Sequence, residues 1–314
     1  MTGAARPRPR LLVLRALGLG DLLTAVPALR ALRDVHPDHE IALACPEALT
    51  PLVAMTGAVD RMLPVAPLGP LPMTEAGVDL AVNLHGRGPQ SHRVLLATRP
   101  RRLLAFGCPE AGVAGPAWRD DEHEVARWCR LLREDGIPAD PGRLDLPHGP
   151  RRPERPTGVT VVHPGAASGS RRWPPERFAA VARAERHAGR RVRVTGAPAE
   201  RRLALRVAAE AGLHDDDVLA GRTGLAELAR VIAEADRVVC GDTGVGHLAT
   251  ALGTPSVVLF GPVPPSRWGP PAGDPAHRAL WAGATGDPHA DRVDPGLLRI
   301  GVDRVLEELE ALPA

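Results

Sequence analysis

The stretch VVCGDTGVGHLATALGTPSVVLFGP, residues 238–262, reads as a buried strand, a sharp polar turn, a short helix and a second buried strand. Its turn sets Gly241, Asp242, Thr243, Gly244, Val245, Gly246 and His247 at the start of the helix. A carboxylate, a hydroxyl, an imidazole and flexible glycines meet there. Free backbone N–H groups and the positive end of a helix dipole make such a place an anion site. A core-facing His247 with Asp242 as a helix cap is the plainer explanation, but glycines interleaved with Asp, Thr and His favour a phosphate or pyrophosphate grip.

The same rhythm extends in both directions. Apolar runs predict strands over 11–15, 40–44, 61–65, 79–84 and 102–106, with helices over 22–35, 47–55 and 122–134. The last of these helices turns Val125, Trp128, Cys129, Leu131 and Leu132 toward a core. Residues 138–158 are crowded with Pro, Gly and Arg and lack apolar periodicity, so they read as a linker. Strands then resume over 159–163, 192–195, 237–240 and 256–260, with helices over 175–187, 199–211, 225–235, 245–252 and 301–312. Strands alternating with helices predict α/β architecture: two Rossmann-like, doubly wound parallel sheets, residues 1–150 and 151–314. The final helix is free to return to the first domain. Ligands in such sheets bind at the carboxyl ends of the strands, which places the expected site in a cleft between the halves.

Composition narrows the function. The chain has 314 residues, 44% hydrophobic and 24% charged, with a formal net charge of +2, which points away from a nucleic-acid binder. Its basic residues Lys and Arg are all arginine, tyrosine is absent, and Asn83 is the only asparagine. This pattern fits a high-G+C coding bias. Cys45, Cys108, Cys129 and Cys240 are scattered without a CxxC pair, which indicates neither a disulfide framework nor a zinc site. Leu11 to Leu14 behind N-terminal arginines superficially resemble a signal peptide, but the run is short and Arg15 ends it, as in a first core strand. No run approaches the roughly 20 apolar residues of a membrane helix. A cytoplasmic enzyme is expected, with peripheral contact at the inner face of the membrane left open, and a monomer.

Further polar clusters follow predicted strands. Gly18, Gly20 and Asp21 come directly after the first strand. They do not complete a dinucleotide fingerprint, because Leu23 occupies the third glycine position. Asp21 suits a helix cap, and equally a general base at the carboxyl end of a strand. His163 to Pro174 forms a small-residue loop holding Arg171 and Arg172, whose guanidinium forks match phosphate oxygens or simply face water. Glu200 follows Gly196-Ala197-Pro198-Ala199 in a first helical turn, where the dipole favours it and where a ribose hydroxyl partner is also placed. Asn83, His85 and Arg87 could line an acceptor pocket or belong to an ordinary polar loop.

In this order, G-x-G-D, H-P-G with R-W-P, G-x-P-x-E and D-T-G-x-x-H-L-A resemble glycosyltransferase family 9, whose heptosyltransferases extend the lipopolysaccharide core from ADP-heptose. The resemblance runs from Leu11 to about Pro270. It implies a GT-B fold of two facing Rossmann-like domains, and inverting, metal-independent transfer. It implies Asp21 as catalytic base, and Gly20, Asn83, His85 and Arg87 are candidates for the acceptor pocket beside it. Asp242, Thr243, Gly244 and His247 fall on the diphosphate motif, with Arg171 where the family usually has a lysine. Glu200 and Thr223 fall on the nucleoside site. Ala166 and Ala167 replace hydroxyl-bearing residues of some members, and His85 stands where some have glutamine.

The resulting expectation is an inverting glycosyltransferase that uses a nucleotide-diphospho-sugar, with ADP-heptose foremost, on a glycan, lipid-linked or natural-product hydroxyl. It needs no cofactor, and no DxD-type metal pair is evident among these motifs. The alternatives are a GT-B nucleotide-sugar epimerase or hydrolase, and a catalytically silent nucleotide-sugar-binding protein. A dinucleotide-dependent oxidoreductase is disfavoured by the incomplete glycine fingerprint.

Overall fold

A computed structural model describes residues 8–154 and 156–313. Residues 1–7, 155 and 314, which fall within the expected domain spans, lie outside the described residues. The chain divides into two compact units, Met1–His148 and Gly149–Ala314.

The first unit contains β1 (Arg10–Leu14), β2 (Glu40–Cys45), β3 (Arg61–Pro64), β4 (Leu80–Asn83) and β5 (Arg102–Leu104). All pair in parallel, in the order β3-β2-β1-β4-β5. Its helices are α1 (Leu19–Val35), α2 (Thr50–Met55), α3 (Gln90–Leu96) and α4 (Glu124–Glu134). Leu11 through Leu14 are all buried, as a central strand covered on both faces requires. The register sets Leu14 beside Ala44 on one side and Asn83 on the other. Polar residues therefore first appear together where β1 and β4 end. α4 begins at Glu124 because His123 caps it, its side chain accepting from Val125 N at 3.2 Å.

The second unit contains β6 (Val159–His163), β7 (Arg191–Val194), β8 (Arg237–Gly241), β9 (Ser256–Phe260) and β10 (His277–Trp281). These strands are also parallel, in the order β10-β9-β8-β6-β7. Its helices are α5 (Pro175–His187), α6 (Arg201–Ala211), α7 (Leu225–Glu234), α8 (Gly244–Leu252), α9 (Pro265–Trp268), α10 (Pro295–Arg299) and α11 (Val302–Glu310). β10 was not expected from the sequence: it is an edge strand whose alternate residues are exposed, and its short apolar stretch follows His277 and Arg278. α6 stops where Gly212 adopts φ +70°, and α8 where Gly253 adopts φ +68°.

The last helix, which the sequence left free to return to the first domain, spends its apolar face on its own unit. Val305 and Leu309 of α11 pack in one cluster with Trp173, Phe178, Leu297 and Ile300. Trp173 Nε1 donates to Ile300 O at 3.0 Å, which ties this cluster to the polar loop after β6.

In each sheet the strand order reverses once. In the first it does so between β1 and β4, in the second between β6 and β8. Loops leaving two adjacent strands in opposite directions open a crevice at their carboxyl ends. Asp21 follows β1 and His85 follows β4; His163 ends β6 and Asp242 follows β8. The four cysteines are all free and buried, and burial pushes the thiol of Cys45 up to about 12. Among the described residues no helix is long and apolar enough to cross a membrane.

Candidate functional site

In the second unit the pairing of His163 with Cys240 brings the loops after β6 and β8 side by side. Arg171 ends a single 3-10 turn, Gly169–Arg171, and its Nη1 stands 3.8 Å from Asp242 Oδ2. The approach is close on the backbone as well. A Cβ on Gly241 would lie 2.9 Å from the Arg171 carbonyl oxygen, which explains glycine at that position. Arg171 Nε donates to Ser168 Oγ at 3.3 Å, and Ser168 Oγ donates to Pro288 O at 2.6 Å, so the turn is anchored from a later segment.

Asp242 is buried, and burial pushes its carboxyl up to about 6 against the opposing pull of Arg171. Thr243 is the N-cap of α8 in extended backbone, and its side chain makes no capping bond. Gly244, with Val245 and Gly246, forms the first turn. Gly246 lets the helix lie against β9, since a Cβ there would come 3.2 Å from Val258 Cγ2. The His247 ring meets Trp268 of α9 edge-on at 5.9 Å between centroids. Arg171, Asp242, Thr243, Gly244 and His247 thus converge on one helix N-terminus, where a guanidinium and a dipole both favour an anion.

Glu200 lies on the other side of β6. Its Oε2 accepts from Ala197 N at 2.8 Å and stands 4.0 Å from His163 Nε2. His163 Nδ1 lies 3.0 Å from Thr195 Oγ1. Burial lowers the proton affinity of His163, with Glu200 acting in the opposite sense. Gly165 passes beneath the carboxylate, leaving no room for a Cβ. The loop carrying Thr223 is held beside this group: Gly221 N donates to Gly196 O at 3.0 Å, and Arg201 Nη1 donates to Ala220 O at 2.8 Å. Ala166 is buried and Arg172 Nε donates to its carbonyl at 2.9 Å, so that alanine shapes the loop through its backbone.

In the first unit Asp21 sits in the first turn of α1, one residue after Gly20. Its Oδ2 accepts from the N–H of Gly18, the N-cap, at 3.1 Å, so Asp21 caps α1 from inside its first turn and not as the N-cap residue the sequence suggested. Its Oδ1 lies 3.4 Å from Arg15 Nη2. Burial raises its proton affinity, Arg15 lowers it and Glu124 raises it. His85 Nδ1 accepts from Ala16 N at 3.2 Å, and burial together with Arg15 lowers its pKa to about 4. Arg87 is exposed two residues further on.

Asn83 differs from expectation. It is fully buried and turns inward, so it does not line a pocket. Its Oδ1 accepts from His85 N at 2.9 Å and its Nδ2 donates to Ser91 Oγ at 2.9 Å, which holds the loop that presents His85. The sequence reading also missed Glu124, a buried carboxylate on α4 bonded to Arg15 at 3.0 Å. An acidic residue at the start of a helix gives no local sign of such a partner.

Among the described residues no group of three or more His, Cys, Asp or Glu side chains is arranged to hold a metal ion.

No curated protein matches the chain. Among solved structures it is similar to E. coli ADP-heptose lps heptosyltransferase II at 22% identity, over 96% of this chain and 98% of that one, with a TM-score of 0.76. It is similar to the family 9 glycosyl transferase of Veillonella parvula at 19% identity, over 96% of both chains, with a TM-score of 0.78. E. coli heptosyltransferase WaaC with ADP is similar at 19% identity, over 96% of this chain and 99% of that one, with a TM-score of 0.71. These likenesses establish the fold as that of the GT-B heptosyltransferases. A sequence model described as glycosyltransferase family 9 (heptosyltransferase) matches residues 117–291, more than half of the chain. The chain belongs to glycosyltransferase family 9, the heptosyltransferases, and is a glycosyltransferase.

Proposed function

We propose that this enzyme transfers a heptose-like sugar from a nucleotide-diphospho-sugar, ADP-heptose first among candidates, to a hydroxyl of a glycan, lipid-linked or natural-product acceptor. Transfer proceeds with inversion and without a metal ion. The observation that carries the reading is the placement of both polar clusters at the sheet reversals, Asp21 and His85 in one unit and Arg171 and Asp242 in the other. The similar E. coli enzyme solved with ADP supports an adenine nucleotide.

In this mechanism an acceptor hydroxyl attacks the anomeric carbon in line with the departing diphosphate, and Asp21 takes its proton. Burial raises the proton affinity of Asp21, which makes it a stronger base than a solvated carboxylate. Such help is worth roughly 10²–10⁴-fold. The diphosphate gains charge as it leaves. The N-terminus of α8 at Thr243 and Gly244, the Arg171 guanidinium and His247 meet that charge, while Ser168 anchors Arg171 and Asp242 stands beside it. Glu200 and Thr223 take the nucleoside. His85, Arg87 and Gly20 face the acceptor, with Asn83 fixing the loop.

Product analysis with a panel of nucleotide-diphospho-sugars and hydroxyl acceptors tests the reading. Transfer with an inverted anomeric centre, unaffected by EDTA, is expected. Free sugar without an acceptor, an epimerised donor, or binding without turnover would each replace it. Asp21→Asn should bind ADP normally and lose about 10²–10⁴-fold in kcat.

A further inference from the structure

We infer that Arg15 and Glu124 are positioning residues that form a buried charge pair behind Asp21, aiming its carboxylate and balancing the charge it feels. This rests on the reading of Asp21 as the base. Arg15 is the residue after β1, and its side chain is wholly buried. Its guanidinium is spent on the start of α1. Nε donates to Asp21 O at 2.9 Å, and Nη2 reaches Asp21 Oδ1 at 3.4 Å and Thr24 Oγ1 at 3.2 Å. Nη1 donates to Leu84 O at the end of β4. One planar fork therefore locks the Asp21 backbone, its carboxylate and the neighbouring strand end, which a lysine could not do.

Glu124 reaches the same fork from α4, accepting from Arg15 Nη2 at 3.0 Å on Oε1. Trp128 Nε1 donates to that oxygen at 2.9 Å, and Arg127 Nη1 bonds the other. The Trp128 ring lies under the Arg15 guanidinium at 4.8 Å, and Phe106 and Trp118 pack against it. A buried ion pair is a poor way to stabilise a fold, since apolar residues of similar volume often do as well. Its value here lies in what it does to Asp21.

The charged groups around Asp21 come from three directions. Arg15 at the end of β1 favours the ionised carboxylate, and Glu124 on α4 disfavours it. Arg127, also on α4, faces Glu124 rather than Asp21. His85, after β4, lies across Arg15 and is neutral above about 4. Without Glu124, only burial would oppose Arg15, and Asp21 would become a weaker base. Without Arg15, burial and Glu124 would keep Asp21 protonated to higher pH.

The acidic limb of the kcat/KM profile, which follows the free-enzyme base, separates these contributions. Arg15→Met should move the limb to higher pH by about one unit. Glu124→Gln should move it to lower pH by less, because Arg15 stands between. The double variant Arg15→Met/Glu124→Gln removes both charges of the pair and keeps an acceptor for Arg127 and Trp128, so it is the variant to use if a single one does not fold. Its limb should stay near that of wild type while kcat falls about tenfold or more, because the carboxylate has lost its aim. Limbs that stay fixed in the single variants, or move in the same direction, overturn the inference. So does wild-type kcat in the double variant. Wild-type turnover in Asp21→Asn instead overturns the base reading itself.

Discussion

Arg171 Nη1 and Asp242 Oδ2 lie 3.8 Å apart at the N-terminus of α8, one from the loop after β6 and the other from the loop after β8. The distance is long for an ion pair and leaves the guanidinium fork room for a second acceptor. Arg171 is also only partly buried, whereas Asp242 is enclosed. In the proposed reading that second acceptor is a phosphate oxygen of the donor's diphosphate.

Removing the guanidinium should therefore separate phosphate from nucleoside. Arg171→Ala is expected to weaken ADP binding by about 10- to 100-fold, the range of one charge-assisted hydrogen bond. Adenosine binding should be unchanged. Calorimetry on the two ligands decides it: equal losses would show that Arg171 only shapes the loop.

Asp242 gives a stability prediction with a definite sign. Its pKa is pushed from 3.8 up to about 6 in the folded protein, mainly by burial. The folded state therefore holds this proton more tightly than the unfolded chain. Its stabilising contribution is complete below about pH 4 and is lost as pH rises through about 6. Asp242→Asn is neutral throughout and should gain on wild type over that interval, by up to about 3 kcal/mol at pH 7.5. Denaturant midpoints at pH 4.5 and 7.5 test this. A difference between variant and wild type that does not grow with pH would count against the buried ionised carboxylate.

His85 should stay out of the pH profile. Its Nδ1 accepts the Ala16 N–H, and burial with the nearby Arg15 lowers its pKa to about 4. It is neutral wherever the enzyme works near neutrality, with Nε2–H left to face an acceptor. His85→Gln keeps an acceptor for Ala16 N. It should raise the acceptor KM by about tenfold at most and leave the acidic limb unmoved. A limb displaced in His85→Gln would identify the imidazole, not Asp21, as the group that titrates.

Much of this was legible in the chain, for physical reasons. Leu11 to Leu14 and Val238 to Cys240 are apolar because helices cover both faces of a parallel sheet, so the strands show as runs. The glycines around Asp242 show because a backbone approaches closely there, as the 2.9 Å gap at Gly241 demonstrates. β10 stayed hidden because its apolar stretch is short and opens on His277 and Arg278, which a half-exposed edge strand tolerates. Asn83 read as a pocket residue because polarity near a strand end does not reveal which way a side chain turns. The Arg15–Glu124 bond spans 109 residues, and no local pattern marks either partner.

Gly165 offers a test of the nucleoside half that leaves the phosphate half alone. A Cβ at this position would lie 2.2 Å from the Glu200 carboxyl carbon. Strand β6 ends just before it at His163, so the backbone there has little freedom to retreat. The far end of the Glu200 side chain is what must move in Gly165→Ala. That movement gives up the 2.8 Å bond from Ala197 N and draws the carboxylate off His163, a loss of about 1 kcal/mol in stability. The α8 N-terminus and Arg171 do not touch this carboxylate. Gly165→Ala should thus remain folded, bind adenosine about tenfold or more weakly and bind inorganic pyrophosphate as wild type does. Weaker pyrophosphate binding would show that the two halves are not independent, and unchanged adenosine binding would remove Glu200 from the nucleoside site.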